Sequence, residues 1–148
     1  MAEAASGPGE INGHCLCGAV EITLRNPKPQ VEVCQCAMCR RWGGAFYSAL
    51  SGESFAITGD DSISTYRSSD WAERAFCKHC GSSLWYKFLP TGNRSFLAGL
   101  FSAADNYPVE REIFADEAAA WTELPGEHAR LSSAETIAEA KDAGYDLG

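Results

Sequence analysis

The chain has no surplus of positive charge. Lys and Arg number 12 against 20 Asp and Glu, for a formal net charge of −8 and an isoelectric point near 4.8. A nucleic-acid binder needs a basic face to neutralise phosphates, so no nucleic-acid partner is expected. An anionic membrane surface is disfavoured for the same reason. Long apolar runs are also missing. None approaches the roughly 20 residues of a membrane helix, so no membrane partner is expected. The opening MAEAASGPGE has neither a basic start nor an apolar segment. It reads as a flexible tail over residues 1–10, not as a secretory signal, and the expected compartment is the cytoplasm. No long-period repeat or internal linker divides the remainder. One domain over residues 11–130 is expected, followed by a helical tail over 131–148.

Cysteine is not scarce. Seven cysteines fall in three tight groups, in HCLCG, CQCAMCR and FCKHCG. An odd number is awkward for a disulfide framework, and cytoplasmic thiols stay reduced. Clustered thiols there point to metal or redox chemistry. Cys15 and Cys17 form one close pair, Cys77 and Cys80 another, and each is followed at once by a glycine, Gly18 or Gly81. Glycine tolerates the positive φ of a tight turn that aims two sulfurs at one ion. Together the two pairs can supply the four thiolates of a closed tetrahedral zinc site. Cys34, Cys36 and Cys39 are three ligands on one short segment. Three protein ligands leave a tetrahedral position open, which is the pattern of catalytic zinc. The spacing leaves other arrangements open: a fourth ligand from His14 or His79, a two-metal cluster with bridging sulfur, or a redox dithiol at Cys77 and Cys80. His128, in the loop PGEHAR, reads as solvated.

The remaining pattern is mainly β. Ala19 to Leu24 alternates, with Val20, Ile22 and Leu24 on one face, and RNPKPQ then breaks the strand. VEVCQC resumes extended structure and runs into the middle cysteine group, and AFYSAL, SFAIT, SISTYR, AERAFC, SLWYKFL, SFLAGLF and VEREIFA follow as short strands. Gly59, Asp60 and Asp61 predict a hairpin between SFAIT and SISTYR, and PTGN predicts another. Only two helical segments are expected. DEAAAW reads as a single turn or short helix. Ser132 to Ala143 reads as a helix with Ser132 and Glu135 at capping-box spacing and a stripe of Ala134, Ile137 and Ala138. Trp85, Tyr86 and Phe88 read as core, and Trp42, Phe46 and Tyr47 as core in preference to pocket lining.

HCLCGAV, CQCAMCRRWGGAF and FCKHCGSSLWY together resemble the glutathione-dependent formaldehyde-activating enzyme family, which also includes centromere protein V. The resemblance covers most of the chain apart from its two ends. It implies small antiparallel sheets built around a structural zinc, similar to the small Rab-binding zinc proteins, with a short C-terminal helix. It also implies two zincs: a structural ion on Cys15, Cys17, Cys77 and Cys80, and a catalytic ion on Cys34, Cys36 and Cys39. One departure is visible, because Gln35 stands where the family often has histidine.

The activity so implied joins glutathione to formaldehyde, or cleaves the carbon–sulfur bond in reverse. A metal-coordinated thiol is deprotonated near neutral pH and can attack a small aldehyde. Three thiolates leave Zn²⁺ at net −1 and a substrate thiolate makes it −2, so a cation is expected nearby. Arg40 is expected to face the open zinc, with Arg41 beside it. The alternative is a non-catalytic zinc-stabilised module that binds another protein. An enzyme calls for a vacant position at the triad, and a module for a saturated one.

Overall fold

The computed structural model describes residues 9–148. Residues 1–8, most of the expected tail, lie outside the described residues, and Glu10 already begins a strand. The chain forms two compact units. One contains the described residues up to Gln30 together with Ala49–Tyr107, and the other contains Val31–Ser48 and Pro108–Gly148. The architecture is mainly β, as the alternation predicts.

The first unit carries an antiparallel three-stranded sheet of β1 (Glu10–His14), β2 (Glu21–Pro27) and β5 (Gly52–Thr58), in the order β1-β2-β5. Val20, Ile22 and Leu24 are buried, as their spacing predicts. The strand runs three residues past the expected break. Asn26 takes a left-handed φ of 46°, its N–H donates to the Gly9 carbonyl, and Pro27 still pairs with Gly52. The bend at Asn26 thus keeps Pro27 in the ladder, and the strand ends before Pro29.

The same unit holds an antiparallel run through β9 (Asn93–Leu97), β8 (Ser83–Phe88), β7 (Ala72–Cys77) and β6 (Ile63–Arg67). Ala49 and Leu50, at the end of β4 (Tyr47–Leu50), pair with Leu97 and Phe96. The β8–β9 hairpin forms where PTGN predicts it. Gly92 takes φ 76° and its N–H closes on the Phe88 carbonyl at 2.8 Å. The predicted β5–β6 hairpin does not form, because β5 pairs with β2 whereas β6 pairs with β7. Gly59 and a 3-10 turn at Asp60–Ser62 instead carry the chain from one sheet to the other. The core centres on Phe96. Its ring packs edge-on against Phe55 at 5.2 Å, Trp85 at 6.0 Å and Phe101 at 6.5 Å.

The second unit is built on parallel pairs. β10 (Val109–Ile113) runs parallel to β3 (Val31–Cys34) and to the short β11 (Ala129–Arg130). A helix that the sequence reading did not anticipate, α1 (Ala37–Gly43), follows β3 directly, and Trp42 at its end stacks on Tyr47. DEAAAW forms two separate 3-10 turns, Ala115–Glu117 and Ala120–Thr122. The final helix, α2 (Ser133–Asp142), has the expected Ser132–Glu135 capping box. Its buried residue is Thr136, not the expected alanine–isoleucine stripe, because the Thr136 hydroxyl donates to the Ser132 carbonyl and accepts from the Phe114 N–H.

Candidate metal centres

The quartet is assembled by two matching turns within the first unit. The first follows β1: Gly18 N–H donates to the Cys15 carbonyl at 3.0 Å, with Gly18 at φ 80°. The second follows β7: Gly81 N–H donates to the Cys77 carbonyl at 2.8 Å, with Gly81 at φ 79°. Nothing crowds a Cβ at either glycine, so the requirement is the left-handed backbone and not space. The Leu16 N–H donates to Ser82 Oγ at 3.0 Å and ties the two turns together.

All four sulfurs lie within 4.8 Å of one another. Cys17 Sγ stands 3.7 Å from Cys15 Sγ and 3.8 Å from Cys77 Sγ. A tetrahedron with ~2.3 Å zinc–sulfur bonds has an edge of about 3.8 Å, so the donor set fits zinc. The sulfurs also compete for charge. Ser82 holds Cys80 down to about 5, through its hydroxyl first and its N–H second. Cys17 is pushed up to about 11: the Ala19 N–H opposes the change, but desolvation and the neighbouring sulfurs outweigh it. A divalent cation removes this conflict by letting all four ionise.

The triad belongs to the second unit and straddles a strand-to-helix junction. Cys34 ends β3, Cys36 is the N-cap of α1, and Cys39 lies buried in its first turn. Cys36 is extended at φ −63° and ψ 159°, and its Sγ accepts the Cys39 N–H at 3.4 Å. The cap therefore folds the third sulfur back toward the first two. These three sulfurs also lie within 4.8 Å of one another, and no further His, Cys, Asp or Glu joins them among the described residues. The Cys34 and Cys39 thiols drive Cys36 down to about 2, while Cys34 is driven up, by Cys36 first, then Cys39 and burial. Three sulfurs crowded this closely again suit a cation.

Neither His14 nor His79 joins a sulfur group among the described residues. The His14 Nδ1–H donates to the Cys15 carbonyl at 2.8 Å. Arg40 sits four residues after Cys36 on α1, and its Nη1 donates to the Glu117 carbonyl at 3.3 Å. Arg41 Nη1 donates to the Ala37 carbonyl at 3.1 Å. Glu117 carries no local sequence signal, yet it secures the helix that contains Cys39 and is capped by Cys36. Its Oε1 accepts the Ala37 N–H at 3.2 Å and its Oε2 the Ser133 hydroxyl at 2.7 Å.

The expectation for His128 is corrected. Its side chain is 2% exposed and its Nε2 bonds to the buried carboxylate of Glu112. A loop histidine is drawn inward because a buried carboxylate requires donors. Only contacts across 16 residues reveal this, so a local sequence reading could not find it.

The chain resembles known proteins over most of its length. It is 30% identical to an uncharacterized lyase of Schizosaccharomyces pombe over 110 residues, which are 73% of this chain and 80% of that one. A Halomonas elongata protein, provisionally named a glutathione-dependent formaldehyde-activating enzyme, is 33% identical over 85 residues, or 51% of this chain and 54% of that one. The fold is similar to a crystal structure of a Rhodobacter sphaeroides protein, with a TM-score of 0.53 at 22% identity over 67% of this chain and 99% of that one. Residues 10–122 match the family of glutathione-dependent formaldehyde-activating enzymes, and the chain belongs to that family.

Proposed function

We propose that the protein is a zinc-dependent carbon–sulfur lyase that makes or cleaves the adduct of a small thiol, such as glutathione, with a small aldehyde, such as formaldehyde. The observation that carries this reading is the three-sulfur group at the start of α1, which no fourth ligand completes among the described residues. Family membership and the name of the Schizosaccharomyces pombe relative support it. In this reading Cys15, Cys17, Cys77 and Cys80 hold a structural zinc. Cys34, Cys36 and Cys39 hold a second zinc at the reaction centre.

Bound zinc supplies a thiol that is deprotonated near neutral pH. In the forward direction the thiol sulfur bonds to the carbonyl carbon, the carbonyl π pair moves to oxygen, and the thiol proton ends on that oxygen. The reverse breaks the carbon–sulfur bond, and neither direction needs a redox partner. Arg40 offsets the negative charge that four thiolates leave at the site, and Arg41 adds to the local basic field. Both are positions where a guanidinium can meet a carboxylate of an anionic thiol such as glutathione. Gln35 carries no titratable proton, so the proton passing from thiol to oxygen does not travel through residue 35.

The test follows glutathione and formaldehyde by NMR with zinc-loaded protein. Adduct exchange should run faster than the uncatalysed background, and Cys36→Ser should lower the enzymatic part at least about tenfold while the thermal midpoint holds. Exchange at the background rate with fully zinc-loaded wild-type protein would contradict this substrate pair.

A further inference from the structure

One buried ionic cluster is not used by the chemistry above. Glu112, on β10, is fully buried, and its two oxygens take different partners. Oε1 accepts from Gln35 Nε2 at 3.3 Å. Oε2 bonds to His128 Nε2 and lies 3.1 Å from Arg130 Nε. Isolated burial of a carboxylate is strongly unfavourable. Here a histidine and an arginine from the β11 segment satisfy one oxygen, which leaves the other to hold Gln35.

Gln35 is flanked by Cys34 and Cys36. Side chains alternate along extended backbone, so Gln35 projects to one side and its two cysteine neighbours to the other. The Gln35 N–H donates to the Ile113 carbonyl at 3.0 Å. Its side-chain Oε1 is buried without a hydrogen-bond partner among the described residues. Glu112 is therefore the residue that fixes the polar end of this side chain. The side-chain bond to Glu112 and the backbone bond to Ile113 together anchor residue 35, and a backbone shift there would displace both flanking sulfurs.

We infer that Glu112, held by His128 and Arg130, is a positioning residue for Cys34 and Cys36 and so sets the metal affinity of the triad. It acts through Gln35 and touches no reacting atom. The inference rests on the reading of the triad as a metal site. Residues that orient metal ligands from behind typically change affinity by 10–100-fold when removed.

The test measures zinc affinity at both sites by chelator competition, together with the absorption bands of the cobalt-loaded protein. Glu112→Gln and Gln35→Leu should each weaken the triad about 10–100-fold and shift its cobalt bands, with the quartet unchanged. Gln35→His keeps a ring N–H for Glu112, so it should stay within about threefold of wild type, below the loss expected for a broken outer bond. Gln35→Leu serves alone if Glu112→Gln does not fold. The inference is overturned if Gln35→Leu leaves the triad at wild-type affinity, if Gln35→His loses as much as Gln35→Leu, or if the variants weaken both sites alike. A wild-type chain whose triad binds no metal would remove the metal reading itself, and this inference with it.

Discussion

Gly59 takes φ 90°, and a Cβ there would lie 2.0 Å from the Ala19 carbonyl oxygen. Two constraints coincide at this residue, a left-handed backbone and contact with a neighbouring strand's lead-in. Gly92 has a similar φ of 76° but open space around it. Gly59→Ala should therefore cost at least about 2 kcal/mol, and Gly92→Ala only about 1 kcal/mol, measured as shifts of the urea midpoint. Equal costs would mean that the Ala19 contact yields freely. The sequence marks both glycines as turns but cannot separate them, since the second constraint comes from a residue 40 positions away. The cysteines differ in this respect. The glycine turns at the two close pairs were legible because the local spacing, C-x-C-G and C-x-x-C-G, marks them, whereas spacing left open which sulfurs come together. Gln35, Glu112 and His128 were not legible as a set, because their contacts join segments far apart in sequence.

At the scale of elements, α2 was readable and α1 was not. The Ser132–Glu135 box is a cap with a known residue signature, whereas α1 spans seven residues and is capped by a cysteine. A cysteine N-cap gives no sequence signal, because Ser, Thr, Asp and Asn are the usual caps. The parallel pairing of β10 with β3 was equally hidden, since alternation reports which face is buried and not the partner's direction. α2 also has an external anchor. The Ser133 hydroxyl donates to Asp116 Oδ1 at 2.8 Å and, with the Ser133 N–H, holds the Asp116 carboxyl below its ordinary 3.8. The depressed value means that the charged carboxylate is favoured in the folded state. Its stabilisation is present above pH 3.8 and fades as the pH falls through the lower folded value. Hydrogen exchange should show α2 amides losing protection as the pH drops below about 4. Asp116→Asn should show that loss already at neutral pH. Unchanged protection in Asp116→Asn would mean that α2 docks without this anchor.

For the whole molecule, the two sulfur groups occupy different units and should fail differently. The quartet joins the turn after β1 to the turn after β7, and under the proposed function it holds a structural zinc, a kind of site that contributes on the order of 10 kcal/mol to folding. Cys77→Ser should leave the first unit unfolded or aggregating, whereas Cys36→Ser should keep its fold. No helix among the described residues is long and apolar enough to cross a membrane. The net charge of −8 makes the paired Arg40 and Arg41 a local exception to an acidic chain. The most direct measurement of the central claim, one completed sulfur site and one with an open position, is a metal count by native mass spectrometry. The prediction is two zincs on the wild-type chain and one on Cys36→Ser. A single zinc on both proteins, under reducing and chelator-free conditions, would contradict it.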